Sequence, residues 1–233
     1  ILPSNFSTAL LIFIMSTMII FIAGYKLKHL TVLFFLFIFL ISSFLYAVNK
    51  FPDIIPNRVD TWTNRIENFV NNDIDDTSNY QINRAKAAIA NGKIFGVGAG
   101  KSSMKYVLPQ STSDFIFSII AEEYGIIVSL IILLLYVVLL FRIIITSYRS
   151  ETKFGQLVSI AVGIPVVFQA FTNMAVAVQL IPVTGQPLPL VSTGGTSIWI
   201  TFLAMGILLS VSRNNKKYNT CLLYTSDAAD DDH

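Results

Sequence analysis

A single aspartate lies where a long polar segment gives way to a hydrophobic run. Asp114 follows Pro109 and Ser113, and the apolar stretch begins at Phe115. Serine and aspartate are favoured N-cap residues, so we expect a hydrophobic helix to begin here with Ser113 or Asp114 as its cap. A carboxylate at the mouth of such a helix is also suited to general-base catalysis. A helix cap is the simpler interpretation of Asp114, and a catalytic base is the functional one.

Two further acids follow in the same predicted helix. Glu122 and Glu123 lie roughly 12 Å beyond Asp114, at 1.5 Å of rise per residue. Charges at that depth in a membrane need a partner, a wet cavity or protonation, so a structural ion pair and a functional polar pocket both stay open. A stripe of small residues on one face of this helix would let another helix pack closely. Its members are Ser118, Ala121, Gly125 and Ser129.

A glycine-rich segment with two lysines precedes the aspartate. Gly96 to Ser102 reads GVGAGKS and invites comparison with a nucleotide-binding loop. That interpretation fails, because a P-loop needs a glycine where Phe95 stands and a strand before it. We instead expect a flexible turn whose backbone amides, with Lys101 or Lys105, contact an anionic head group. Contact with lipid head groups or solvent is the simpler role for both lysines.

The composition places these residues in a membrane. Apolar residues make up 54% of the 233 residues and charged residues only 13%, far from the balance of a soluble domain. The net charge of +2 is spread along the chain, so nucleic acid is not implied as a partner. The single cysteine, Cys221, cannot form an internal disulfide. The expected fold class is therefore all-α, a polytopic transmembrane helical bundle.

The hydrophobic runs predict about five membrane crossings. Residues 1–49 provide two helices, each near the ~20 residues that a crossing requires. Residues 50–113 form a large extracytoplasmic loop, and residues 114–213 provide three more helices. An uncharged turn rich in proline and glycine, at 181–197, separates the last two.

The basic residues of the short loops predict the sidedness of these helices. Lysine and arginine in short loops favour the cytoplasm, and the groups found here are consistent with five crossings. They lie around Lys26, Arg149 and Arg213. The loop 50–113 and the turn 181–197 then share the outer face with Asp114. Rigid uncharged backbone at membrane depth is tolerated where it lines a cavity, so we expect the turn to form a wall of the Asp114 site.

Both ends of the chain are unusual for a membrane protein. The chain opens at Ile1 directly before an apolar run, and we interpret it as lacking an upstream part. Residues 214–233 form a tail, within which residues 221–233 break abruptly from the preceding composition. We interpret residues 221–233 as non-native and expect them to lie outside the fold.

Two separated motifs resemble the SEDS family, the polytopic FtsW and RodA peptidoglycan polymerases of bacteria. One is LPQSTSDFIF at 108–117, followed by EEYG at 122–125, and the other runs from Asn173 through PVTG to PLVSTGGTS, which ends at Ser197. The outer-loop stretch AKAAIANGKIFGVGAG at 85–100 is also similar. The turn PVTGQPLP and the closing LLSVSR look closer to FtsW than to RodA. Departures such as Gln110, where an acid is common, leave the aspartate in place.

The resemblance implies that this chain is the C-terminal half of a ten-helix fold, inactive on its own. The implied activity is an inverting peptidoglycan glycosyltransferase that polymerises lipid II during cell division, with Asp114 as general base. The candidate substrate-binding residues are Lys101, Lys105, Gln110, Ser192, Gly194 and Gly195. No metal ligand is identified and no cofactor is evident, although a divalent cation, Mg or Mn, is an alternative counter-charge for the leaving diphosphate.

The resemblance also implies a setting and partners. The protein would lie in the bacterial inner membrane with its site on the periplasmic face. Its partners would be lipid II, a class B penicillin-binding transpeptidase and membrane proteins of the divisome. Two other functions stay open: a flippase for the same lipid, which would share intramembrane acids and broken helices, and a non-catalytic division scaffold. We see no second copy of either motif, as the inverted repeats of a transporter would give.

Overall fold

The computed structural model describes residues 6–50, 77–108 and 111–230. Within these ranges the chain forms helices, turns and irregular segments and no strand, which confirms the all-α prediction. The helices are α1 (Phe6–Ile22), α2 (Leu27–Lys50), α3 (Thr77–Gly92), a 3-10 helix (Met104–Tyr106), α4 (Ile116–Tyr148), α5 (Lys153–Ala177) and α6 (Gly195–Asp230).

Four of the described helices are long and apolar enough to cross a membrane. They are Leu27–Phe44 of α2, the whole of α4, the whole of α5, and Gly195–Arg213 of α6. The apolar part of α1, Thr8–Ile22, is shorter than a full crossing. The sequence predicted about five crossings, so the described residues supply four of full length and one short apolar helix. The chain is a multi-pass membrane protein.

Packing centres on α4, which lies against α3, α5 and the turn before α6. Ile82 and Ala85 of α3 are buried with Phe115 and with Val183 of the proline-rich turn. Deeper along α4, Ile143 packs against Val167 of α5 and Leu208 of α6. Close contacts are therefore found both where α3 meets the start of α4 and further along the membrane helices.

Helix α4 is broken at Gly125, where the sequence predicted a continuous helix. Gly125 has φ 82 and ψ 179, outside any helical region. A Cβ at this position would overlap the backbone oxygen of Ile94, so a larger residue is excluded by both conformation and space. A loop backbone therefore packs against Gly125, where the small-residue stripe predicted a neighbouring helix.

The loop after α3 satisfies the backbone groups that the break exposes. The Val97 amide donates to the Glu122 carbonyl, and the Gly98 amide donates to the Glu123 carbonyl, each at 2.9 Å. In return, the amide of Ile126 donates to the carbonyl of residue 93 at 3.0 Å. Buried backbone groups need partners, so the break persists because residues 93–98 complete it.

The last helix continues further than the sequence analysis expected. Helix α6 runs to Asp230 and includes residues 221–230, which we expected to lie outside the fold. A helix needs only hydrogen bonds within its own segment, so an apolar contact is not required for this extension. The non-native origin of residues 221–233 stays a prediction. The first part of the expected outer loop, residues 51–76, and residues 109–110 lie outside the described residues.

Candidate functional site

Asp114 lies in a turn immediately before α4, and its side chain is half-buried. The hydroxyl of Ser113 donates to Asp114 Oδ1 at 2.8 Å. Across the site, Gly185 approaches the other carboxylate oxygen, since a Cβ built on it would lie 3.6 Å from Asp114 Oδ2. The carboxylate therefore sits between the start of α4 and the proline-rich turn.

The carboxylate of Asp114 does not cap α4, which overturns the simpler interpretation. The N-cap residue is Phe115, and no side chain bonds to the first turn of the helix. Residues 111–115 form turns, and the carbonyl of Asp114 accepts from Asn173 of α5. The side-chain oxygens of Asp114 are thus not bonded to the first turn of α4, and Oδ1 accepts only from Ser113 among the described residues.

Asn173 of α5 connects this turn to the proline-rich segment. Its side chain is 1% exposed, and its Nδ2 donates to the carbonyls of both Asp114 and Gln186, at 2.7 Å each. Its Oδ1 and the hydroxyl of Ser118 are buried without a hydrogen-bond partner among the described residues. Buried polar atoms of this kind are commonly paired with an ordered water molecule.

Side chains from α4 and α5 hold the carbonyls of the proline-rich turn. Gln169 Nε2 donates to the carbonyl of Pro187 at 3.0 Å, and the hydroxyl of Tyr136 donates to the carbonyl of Pro189. Buried backbone carbonyls need hydrogen-bond donors, and these side chains supply them. The turn is thereby fixed against the two helices.

Ser192 joins the turn to the Asp114 segment directly. Its hydroxyl accepts from the amide of Leu188 and donates to the carbonyl of Ser113, both at 2.7 Å. The next residue, Thr193, donates from its amide and its hydroxyl to the carbonyl of Thr112, at 3.2 and 3.1 Å. Residues 192–193 therefore lie beside residues 112–113.

The other predicted substrate-binding residues are placed less closely. Lys101 and Lys105 are exposed on the segment that precedes the site, while Gln110 lies outside the described residues. Gly194 is partly buried and accepts from the amide of Ile198. Gly195 begins α6 in open space, with nothing within 4 Å of a Cβ built on it. Two members of the predicted set bond to the turn that carries Asp114, residues 111–115. Ser192 donates to the carbonyl of Ser113, and the carbonyl of Lys105 accepts from the hydroxyl of Ser111 at 2.9 Å.

Glu122 is held by hydrogen bonds from a neighbouring segment, and a functional role for the paired acids stays a prediction. Its carboxylate is 1% exposed and accepts from the hydroxyls of Ser102 and Ser103 and from the amide of Met104. No basic side chain pairs with it in the part of the chain that the structure describes. Glu123 is partly exposed and contributes its backbone carbonyl.

Sequence reasoning missed the roles of Asn173, Gln169 and Tyr136. Asn173 and Gln169 are four residues apart on α5, so they lie on one helix face. Polar side chains inside an uncharged membrane helix are costly unless they are hydrogen-bonded, and this rule could have marked them as partners of a polar segment. Their partners are backbone carbonyls, which every residue has, so the sequence does not show which carbonyls they bind.

A cavity of about 390 Å³ lies between α1 and α5, next to the proline-rich turn. Its lining is mainly apolar, with Gln169 and Gln186 among the polar residues. Gln186 Nε2 donates to the hydroxyl of Thr8 at 2.9 Å, which links α1 to the turn. The Gln186 carbonyl is the one that Asn173 binds, so the cavity is adjacent to the network that holds Asp114.

The arrangement as a whole offers one half-buried carboxylate beside a rigid wall, with exposed lysines on the adjoining segment. Among the described residues, no group of three or more His, Cys, Asp or Glu side chains is placed to hold a metal ion. One chemistry that such a carboxylate can provide is proton transfer.

Comparison with known proteins gives a consistent result. The family model for the cell cycle proteins FtsW, RodA and SpoVE matches residues 1–217. The stage V sporulation protein E of Bacillus subtilis is 35% identical over 198 residues, which cover 84% of this chain and 51% of that protein. The probable peptidoglycan glycosyltransferase FtsW of Enterococcus hirae is 42% identical over 139 residues, 59% of this chain and 35% of that protein.

A solved structure shares the fold. It comes from work on the "Structural coordination of polymerization and crosslinking by a peptidoglycan synthase complex". The similar chain has a TM-score of 0.66 and 25% identity, and the match covers 91% of this chain and 56% of the other. The present chain spans about half the length of the curated relatives that it matches along most of its own length.

Proposed function

The chain belongs to the FtsW, RodA and SpoVE family of cell cycle proteins, and we propose that a protein carrying it polymerises lipid II into glycan strands during cell division. Relatives named as probable peptidoglycan glycosyltransferases support the reaction class. The observation that carries the proposal is the state of Asp114. Its carboxylate does not hydrogen-bond to the first turn of α4 and lies against the small residue Gly185.

The proposed step needs one general base. Asp114 removes the proton from the 4-hydroxyl of the acceptor sugar, and the oxygen attacks the anomeric carbon of the donor. The bond from that carbon to the diphosphate oxygen breaks, the configuration inverts, and undecaprenyl diphosphate leaves with the electron pair. A diphosphate is already an activated leaving group, so no acid is required to protonate it.

Positive charge near the leaving diphosphate would favour its departure. Lys101 and Lys105 are exposed on the segment before Asp114, so both can reach a head group from solution. We assign them to the diphosphate and keep Gln110, Gly194 and Gly195 as candidates for the sugar and peptide. The hydroxyl of Ser192 already donates one hydrogen bond and accepts another within the protein. In this proposal Ser192 shapes the wall of the site.

The setting follows from the same reaction. Lipid-linked disaccharide is used on the outer side of the inner membrane, so Asp114, the loop after α3 and the proline-rich turn would face the periplasm. The structural relative comes from a complex that both polymerises and crosslinks. This supports a class B penicillin-binding transpeptidase as partner, together with other divisome proteins.

A flippase for the same lipid is the alternative with a structural observation in its favour. The break in α4 at Gly125 resembles the discontinuous helices that transporters use to bind substrates. In this chain, however, residues 93–98 pair with the backbone groups of the break. Those groups are therefore engaged inside the protein, which favours the polymerase.

One experiment separates the polymerase from the flippase and from a scaffold. The full-length protein is purified in detergent and given lipid II, with no compartments to cross. We expect glycan strands of many disaccharides, resolved by gel electrophoresis. Absence of polymer, in the presence of a transpeptidase partner, together with lipid II transport in vesicles would overturn the proposal.

A further inference from the structure

Glu122 is a buried acid that the proposed reaction does not use. Three donors from one short segment point at its carboxylate. Ser102 Oγ donates to Oε2, Ser103 Oγ donates to Oε1 at 3.0 Å, and the Met104 amide donates to Oε2 at 3.3 Å. A buried carboxylate without an ion partner is costly unless its oxygens are hydrogen-bonded. These bonds therefore tie the segment to α4.

The same segment is attached to α4 through its backbone. The amides of Val97 and Gly98 bind the carbonyls that the break in α4 exposes. A Cβ at Gly96 would overlap the backbone oxygen of Glu123, so main chain lies directly on main chain here. Residues 93–98 are thus fixed by backbone contacts, and residues 102–104 are fixed by the Glu122 side chain.

The two lysines lie on either side of the residues that Glu122 holds. Lys101 directly precedes Ser102, and Lys105 directly follows Met104. The amide of Lys105 also donates to the hydroxyl of Ser102 at 3.0 Å. A single serine hydroxyl therefore connects the Glu122 carboxylate to the backbone of a candidate substrate-binding lysine.

We propose that Glu122 is a positioning residue that fixes the backbone of residues 102–105, so that Lys101 and Lys105 meet the anionic diphosphate of the substrate. This inference rests on the proposed function, because it needs a diphosphate-bearing substrate. Glu122 acts through the loop and does not touch the reacting atoms. Its loss should weaken substrate binding and leave the chemical step nearly intact.

The neighbouring acid provides a matched control. Glu123 has the same charge and nearly the same depth, but its side chain makes no hydrogen bond within the described parts of the chain. Glu122→Gln keeps the size of the side chain and replaces one acceptor oxygen by an NH₂ group, which cannot accept from the Met104 amide or a serine hydroxyl. Glu123→Gln makes the same chemical change without removing a described contact.

The test measures kinetics and backbone protection on the full-length protein in detergent. For E122Q we expect the KM for lipid II to rise about tenfold while kcat stays within about twofold. Amide hydrogen exchange at residues 102–105 should accelerate about tenfold, as expected when a local anchor is lost, while residues 97–98, which are held by backbone bonds, should keep their protection. E123Q should match the wild type in both measurements. If E122Q fails to fold, S103A removes one of the same bonds from an exposed position and should shift KM and exchange in the same direction.

Three results would overturn the inference. A wild-type KM with wild-type hydrogen exchange in E122Q would show that Glu122 does not fix residues 102–105. A fall in kcat at constant KM would place Glu122 in the chemical step, and a lower folded yield with unchanged KM would leave it a purely structural role. If the wild-type protein makes no polymer, the proposed function fails, and the exchange comparison still decides whether Glu122 anchors the segment.

Discussion

The side-chain amide of Asn173 lies 2.7 Å from the backbone carbonyl of Asp114, and the same nitrogen binds the carbonyl of Gln186. One buried side chain of α5 thus holds the segment before α4 and the proline-rich turn together. The position of the Asp114 carboxylate relative to Gly185 depends on this bridge. Loss of the bridge should therefore displace the carboxylate.

Replacing Asn173 with alanine should disturb the site and the fold together. The change leaves the carbonyls of Asp114 and Gln186 without their donor, at about 1–3 kcal/mol for each buried group. We expect a fall of at least about tenfold in polymerisation rate, because a small displacement of a catalytic group is costly. Rate and thermal stability are measured on the full-length protein. Thr172→Ala is the control, since the Thr172 hydroxyl bonds within its own helix, to Phe168; equal effects of the two variants would contradict the bridge.

Gly185 should be sensitive to substitution because it lies against the carboxylate of Asp114. Its φ of 66 strains any other residue by about 1 kcal/mol, and an added methyl group would sit against Asp114 Oδ2. Gly185→Ala should therefore reduce polymerisation well beyond its effect on stability. Gly24→Ala is the matched control, because Gly24 has φ 86 and nothing within 4 Å. We expect that variant to lose similar stability and to keep its activity, and parallel losses in both variants would count against a special role for Gly185.

Gly125 should not accept alanine. A Cβ there would overlap the oxygen of Ile94 in a backbone region that alanine rarely adopts, so we expect a loss of about 2 kcal/mol or more. Gly206→Ala is the comparison, because Gly206 lies in helix α6 with open space around it and alanine favours helices. Thermal unfolding followed by size-exclusion chromatography distinguishes the two. A G125A protein as stable as G206A would mean that the break in α4 does not form.

The exposed lysines should act through charge. Lys101→Gln and Lys105→Gln should each raise the KM for lipid II about threefold to tenfold. The difference from the wild type should shrink at high salt, because salt screens the attraction between an exposed lysine and the diphosphate. Lys86→Gln serves as the control because Lys86 is an exposed lysine on α3, outside the segment that Glu122 holds. Identical kinetics in all three variants would remove the lysines from substrate binding.

Hydropathy was sufficient to predict the all-helical fold, because it depends on local residue types, while the role of Asp114 stays a prediction. The break at Gly125 was not predictable in the same way, because it exists only when backbone from residues 93–98 supplies the missing partners. The expected cap at Ser113 or Asp114 failed for a related reason. A long-range bond from Asn173 competes for the backbone of the turn, and nothing in the local sequence reports it.

The central claim is that Asp114 is the general base of a lipid II polymerase. Its most direct test is glycan synthesis by the full-length Asp114→Asn variant in detergent. Asparagine preserves the shape of the side chain but cannot take up the proton, so we expect polymer to fall below detection while the protein remains in the membrane and folded. Near-normal glycan synthesis by the folded variant would contradict the account.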